Sequence, residues 1–549
     1  MTIIDPTTGT TEPTRYWSSA NIGEATPDVL SPMCWSFWGP QAEMAARRSY
    51  QRFGILASRE VIVSENPNEL MTNYFYGRPA LNVDVLRPYF GSVPGVSADD
   101  FERDMCGKLR PSLPPAQRKN RLPFIVAMGP YAMWKTPRRL RDLVPRQRTW
   151  WETEVRDRTS IGDPIARLAD AAARYRESFE IHCCGRFVLM SAQSTLTKLT
   201  HAIDRPDLLL GLIAGLGGVT EVGIADDLWQ VSRKKLTMEE FVRRHGFHGP
   251  NEGNLSGTSW RENDTPVRRL VDTFANRPDD ERPRRREEAN MVDHQDALAK
   301  FLALLDDKQQ RKARKAAAAL VRSTQANELG KASYLMAIDG GRSATRDAGR
   351  HYVTAGQLDD VDDAFYFTMA ELGQLPSNAK DIVEFRRSRR NHYRTLSLPV
   401  TFTGMPVPIE TAERTEELSD SFTGAAGSPG HVEGIANVIT DPDTAPPLDE
   451  GQILVCRFTD PSWTPLFVLA EALVIDIGGP TSHGAIVARE LGIPCVIGTG
   501  YGTSLVHTGD RLSVDGSTGE VKVLERAPTQ RPAGQHQIDD ANRTQNWPA

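Results

Sequence analysis

The chemistry in this sequence concentrates where an apolar strand gives way to a short helix that opens on a histidine. Ala472–Ile477 reads as a strand that breaks through the paired glycines Gly478 and Gly479. Thr481 or Ser482 can cap the helix that follows, and Gly492 with Pro494 ends it. His483 falls in the first helical turn, where unpaired backbone N–H groups and the positive end of the helix dipole favour an anion. A phosphoryl group held on one ring nitrogen is stabilised there, while a hydrogen bond to the other nitrogen fixes the tautomer. The hydroxyls of Thr481 and Ser482 can orient the ring, and the two glycines let the backbone come close to a partner site. A surface histidine capping a turn is the plainer reading of a lone histidine. Arg489, further along the helix, suits a salt bridge. Thr459–Phe467 reads either as part of this site or as a turn packing aromatic groups onto the same unit.

The elements that must position this histidine divide by texture. Residues 1–15 are polar and threonine-rich and read as a flexible N-terminal arm. Residues 16–406 are mainly helical in pattern, with helical periodicity in Asp163–Ile181, Leu298–Leu305 and Lys312–Ile338. Within them the charged run Pro278–Glu288 reads as a solvated loop before a helix, with a docking surface as the alternative. Residues 407–423 read as a linker, and Gly424–Gly430 as a hinge and turn cluster. From 424 to 526 the sequence carries short β runs at His431–Ile439, Gln452–Arg457, Leu473–Ile477, Cys495–Gly498, Arg511–Asp515 and Glu520–Val523. Residues 527–549 read as a flexible C-terminal tail. The expected fold is multidomain, a large mainly α-helical substrate domain followed by a C-terminal α/β (β/β/α) domain.

Composition narrows the function classes. The 549 residues suffice for about three or four domains. A net charge of −6 argues against a general nucleic-acid binder. The cysteines Cys34, Cys106, Cys183, Cys184, Cys456 and Cys495 show no C-x-x-C spacing, which fits reduced thiols and no metal site. No basic segment followed by an apolar run opens the chain. Leu208–Val219 is too short and glycine-rich to cross a bilayer, so a soluble cytoplasmic protein with no membrane partner is expected.

The run Gly478–Gly492 resembles the phosphohistidine motif of the phosphoenolpyruvate-utilising, swivelling-domain phosphotransferases. Gly427-Ser428-Pro429-Gly430 and Gly509–Gly516 match that pattern as well, so the resemblance implies a swivelling phosphohistidine domain over 424–526. Upstream, Asn21–Glu24 with Leu30-Ser31-Pro32, Gly77–Asn82, Gly246–Pro250 with Glu252, and Trp260-Arg261-Glu262 resemble the drug-binding domain of rifampin phosphotransferases. Arg346–Tyr352 and Asp363–Phe367 do so too. That resemblance implies a phosphoryl-acceptor domain over 16–406. Rifampin phosphotransferases begin with an ATP-grasp domain. This sequence shows no glycine-rich phosphate loop with its lysine, and no barrel of βα units for phosphoenolpyruvate. It is similar here to phenylphosphate synthase, which divides comparable modules between subunits. ATP and Mg2+ are accordingly expected on a separate ATP-grasp subunit that charges His483.

Where the rifampin-type family carries an Arg-Glu pair and a lysine beside the acceptor, this sequence has Arg346, Asp347 and Arg350. Arg346 and Arg350 share a helix face at i and i+4. Two cations there suit a transferring phosphoryl group, and the Asp347 carboxylate suits the hydroxyl proton. An exposed face with a surface ion pair is the alternative. His245 and His248 are further candidates for the base or for substrate contact, or else buried structural residues. Trp35, Phe37 and Trp38 suit an aromatic acceptor pocket or ordinary core packing. The expected function is a phosphotransferase component passing a phosphoryl group from His483 to a phenol or alcohol. A phosphocarrier serving another protein and a rifamycin-inactivating component are the alternatives.

Overall fold

The computed structural model describes residues 3–527 apart from 21, 27, 94–95, 107–108, 112, 114–117, 161, 409–419, 440–447, 449–450, 460–462 and 480–481. A large helical region is followed by a C-terminal domain built on a mixed sheet. The principal helices are α1 (Pro32–Arg52), α2 (Leu122–Trp151), α3 (Pro164–Ala202), α4 (Thr220–Ser232) and α5 (Met238–His245). After them come α6 (Pro283–Ala303), α7 (Asp307–Thr354) and α8 (Ala379–Thr395). Each start has a sequence cause. Asp163 accepts N–H bonds from Ile165 and Ala166 ahead of α3, and Asp306 with Gln309 forms a capping box ahead of α7. Of the charged run Pro278–Glu288, read as a loop before a helix, Asp279–Glu281 form a short turn, while Pro283 to Glu288 already begin α6.

The helical region is organised around α7, which runs for 48 residues against α3. Small residues on α7 receive rings from its neighbours. A Cβ on Gly340 would meet Trp150 at 2.4 Å, and one on Gly341 would meet Phe37 at 2.6 Å. Large side chains there would force the helices apart. A four-stranded sheet of β1 (Tyr16–Ser18), β2 (Thr72–Phe75), β3 (Arg78–Asn82) and β4 (Thr401–Thr403) has the order β2-β3-β1-β4. Trp17 pairs with Phe402, so this sheet ties the two ends of the helical region together.

The arm expected to be flexible is not free along residues 3–15. Gly9 N–H donates to Tyr74 O at 2.8 Å, Gly77 N–H to Thr7 O at 2.7 Å, and the Tyr393 hydroxyl to Asp5 at 2.7 Å. Its polar, threonine-rich composition serves hydrogen bonds along β2 and α8 instead of solvation alone. The tail from 528 onward and most of the expected linker lie outside the described residues.

The C-terminal domain holds β5 (Ser421–Thr423), β6 (Ala425–Ser428), β7 (His431–Ile439), β8 (Gln452–Cys456), β9 (Ala472–Ile475), β10 (Cys495–Ile497), β11 (Arg511–Asp515) and β12 (Glu520–Glu525). Their order is β5-β12-β11-β7-β8-β9-β10-β6. The run β7-β8-β9-β10 is parallel, and β8 and β9 are nearly continuous buried apolar segments, as parallel strands covered on both faces require. Two segments differ from the sequence reading. The end of the expected linker forms β5, which pairs with β12, and four residues of the expected hinge cluster form β6, which pairs with β10. Small residues read as turn formers, but pairing at the two edges of the sheet overrides that preference.

One apolar core spans the two regions. Val222, Leu228 and Trp229 of α4 join Trp463, Phe467, Val487 and Leu491 of the C-terminal domain. At the rim the buried Glu490 carboxylate accepts N–H bonds from Leu216 at 2.9 Å and Gly217 at 2.7 Å, and the Asn290 side chain donates to Glu490 O at 2.7 Å. Glu490→Ala leaves those two buried N–H groups without an acceptor. The expected loss is about 1–3 kcal/mol for each unsatisfied group, read as a lower midpoint in denaturant unfolding. An unchanged midpoint would show that the contact contributes nothing.

Candidate functional site

Helix α9 (His483–Leu491) places His483 at its first position. Ser482, in the extended region, caps the helix by accepting the Ala485 N–H at 3.4 Å, and Gly492 closes it in the left-handed conformation. The turn before it uses Gly478 at φ 141° and Gly479, whose carbonyl accepts the Ser482 N–H at 2.9 Å. Gly484 has a separate reason. A Cβ there would meet Ile475 and Thr459 at 2.8 Å, so the helix could not lie so close to β9. Thr459 thus supports the floor under α9, while Trp463 and Phe467 sit in the shared core. Thr481 lies outside the described residues.

The His483 side chain is 17% exposed and faces the helical region. Its Nδ1 lies 3.5 Å from Lys331 Nζ on α7 and 3.5 Å from Glu221 Oε1 in the first turn of α4. Lys331 Nζ donates to Glu221 Oε1 at 2.6 Å and lies 3.8 Å from Glu252 Oε1. The other Glu252 oxygen is 2.7 Å from Nδ1 of His248, whose Nε2 is buried without a hydrogen-bond partner. A chain of contacts therefore runs from His483 through Lys331 and Glu252 to His248.

Burial sets the charge states. Loss of water pushes the His483 imidazole down to about 4; Lys331 pushes the same way, and Glu221 and Glu252 oppose it. His483 is therefore neutral at physiological pH, with a lone pair available as a nucleophile. Burial also opposes the Lys331 ammonium, but Glu221, Glu252 and Glu328 outweigh it and hold the amine above its ordinary value. Glu221 is raised by burial yet brought below the usual carboxylate range, first by Lys331 and then by His483. Glu328, buried and beside Glu221, is pushed well up by burial and by that neighbouring charge.

The other residues singled out in the sequence fall in different places. Arg346, Asp347 and Arg350 lie on α7, but about 22–28 Å along the helix from Lys331 at 1.5 Å per residue. Arg346 pairs with Glu262 and Asp362, and Asp347 is bracketed by Arg158, Arg167 and Arg350. The structure does not bring these three to His483. His245 pairs with Asp227 at 2.9 Å, and burial lowers its imidazole below the ordinary value. Phe37 is core, and Trp35 packs on Trp38 and Tyr74. Trp38 alone of the three lines a large cleft. Sequence reasoning missed Glu221, Glu328 and Lys331 and gave Glu252 no role. The available signal was Asn327, Glu328 and Lys331, polar residues within one turn of a helix otherwise rich in alanine and glycine.

Two stretches of the chain match known families. Residues 448–519 match the PEP-utilising enzyme, mobile domain, and residues 234–328 match the rifampicin phosphotransferase fourth domain, in agreement with the resemblance drawn from the motifs. His483 lies in the first; His248, Glu252 and Glu328 lie in the second. A rifampicin phosphotransferase of Bacillus subtilis is 28% identical over 302 residues, covering 53% of this chain and 35% of its own length. One from Streptomyces sviceus is 29% identical over 321 residues, covering 56% and 37%. The prodigiosin synthesizing transferase PigC of Serratia marcescens is 40% identical over 164 residues, covering 29% and 18%. The matched part thus spans between 18% and 37% of the length of these relatives.

The neutral imidazole gives a pH dependence with a definite sign. The unfolded value is the ordinary 6.5, and the folded value is lower, about 4. Between them the unfolded chain binds a proton that the folded chain refuses, so this group's contribution is full above about pH 6.5 and is lost as pH falls towards 4. Nuclear magnetic resonance of labelled histidine should show the His483 ring neutral down to about pH 4. A midpoint near 6.5 would contradict the buried geometry.

Proposed function

We propose that this chain is the carrier-and-acceptor component of a phosphotransferase, in which His483 receives a phosphoryl group originating in ATP and delivers it to a hydroxyl of a small organic molecule, a phenol or an alcohol. One observation carries the reading: a neutral imidazole at a helix N-terminus meets a buried lysine and a His–Glu pair. In this scheme Glu221 takes the Nδ1–H of His483 and leaves the Nε2 lone pair to bear the phosphoryl group. On transfer the Nε2–P bond breaks, and the acceptor oxygen forms the new P–O bond. The hydroxyl proton passes to Nε2 of His248, whose Nδ1–H is held by Glu252. Lys331 stabilises the negative charge of the phosphoryl group in flight, aided by the N-terminal dipole of α9. ATP and Mg2+ belong in this reading to an ATP-grasp unit outside these 549 residues, expected as a separate subunit that charges His483.

The relatives' names support transfer onto an organic molecule, since one set carries rifampicin phosphotransferase and another a prodigiosin synthesizing transferase. A rifamycin-type acceptor is a narrower form of the same proposal.

The test uses labelled ATP, Mg2+ and an ATP-grasp protein. Acid-labile, alkali-stable label should appear on His483 and vanish in His483→Ala. His248→Gln and Lys331→Met should still take up label but pass it to a hydroxyl compound about a hundredfold more slowly, the scale of a lost general base or charge stabiliser. Label that survives His483→Ala, or that moves only to another protein, would overturn the proposal.

A further inference from the structure

A cleft of about 1030 Å³ runs along one side of α3, where Tyr175, Phe179, Phe187, Met190, Thr197 and His201 line it. From Tyr175 to His201 that stripe covers about 39 Å of helix at 1.5 Å per residue. The facing wall is aromatic, with Tyr50, Phe90 and Phe101 lining the cleft and the Phe90 and Phe101 rings stacked at 4.1 Å. At one end the lining includes Tyr334, three residues beyond Lys331, and Gly253, the neighbour of Glu252. Further along α3 it turns polar, with Gln193, Thr197 and His201. Ala426, Pro429 and Ser517 of the C-terminal domain complete the wall, so an occupant would touch both parts of the chain.

We infer that this cleft binds an elongated, mostly apolar alcohol, with its hydroxyl at the Tyr334 end and its chain laid along α3. The inference rests on the phosphotransferase reading and names its acceptor class. A compact ligand is buried in a single bowl, whereas this lining continues well past the length of such a bowl. Aromatic walls reward each apolar carbon withdrawn from water. Among the lining residues, Tyr334 and Gly253 lie close in the chain to Lys331 and Glu252 of the His483 cluster. A hydroxyl there is set to take the phosphoryl group from Nε2 of His483 and to give its proton to His248.

Calorimetric titration of the full chain with 1-hexanol, 1-octanol, 1-decanol and 1-dodecanol tests the inference, with rifampicin as a compact macrocyclic probe. Affinity should rise roughly fourfold for each added CH2 group. Cys183→Trp, which plugs the stripe about 12 Å from Tyr175, should weaken the longest alcohols while sparing 1-hexanol. Cys183→Phe, a smaller ring at the same place, gives a second plug should the first variant fold poorly. Affinity that is flat with chain length overturns the inference, as does rifampicin binding tighter than any alcohol and insensitive to both plugs. The two readings fail separately. Length-dependent binding without any transfer from labelled His483 removes the phosphotransferase reading and keeps the cleft assignment. Transfer to short alcohols with no length dependence does the reverse.

Discussion

A buried ammonium stays charged only where carboxylates surround it, and the arrangement around Lys331 follows from that requirement. Glu221 comes from the start of α4, Glu252 from the segment after α5, and Glu328 from the preceding turn of α7. Only Glu328 is near Lys331 in the chain. The helical region must therefore close correctly before the lysine can be satisfied, and a satisfied lysine in turn holds three segments together. Removing one member leaves another buried and unmatched, which is costlier than removing the whole set.

His483 is the part of the cluster supplied by the C-terminal domain. The N-terminus of α9 attracts negative charge, while its own burial against Lys331 keeps the ring neutral. Under the proposed function, these effects act together on a phosphoryl carrier. A protonated imidazole has no free lone pair to accept the group, and a solvent-exposed one would lose it to water.

Much of the C-terminal domain was legible because its signals are local. The strand before Gly478, the Ser482 cap and the Gly492 stop all lie within one short segment, and the apolar runs that became β7 to β12 are punctuated by glycines. β5 and β6 were not legible, since their pairing with β12 and β10 depends on residues some 70–100 positions away. The same holds for residues 3–15, whose hydrogen bonds go to β2 and α8. In the site, the i, i+4 arginines Arg346 and Arg350 were visible as a helix face. Their partners Glu262, Asp362, Arg158 and Arg167 were not, because only the fold brings them there. Lys331 lies within the periodic stretch Lys312–Ile338, and nothing local marks it as the residue that His483 meets.

The apolar seam between α4 and the His483 domain has a kinetic consequence. Trp229 and Val222 on one side and Trp463, Phe467 and Val487 on the other belong to a single core, so the domain cannot lift away without wetting both faces. The resting molecule is thus the latched one. If the proposed function holds, a partner that draws the histidine outward has to present greasy surface of its own in exchange, and the proposed cycle can run no faster than that seam unzips.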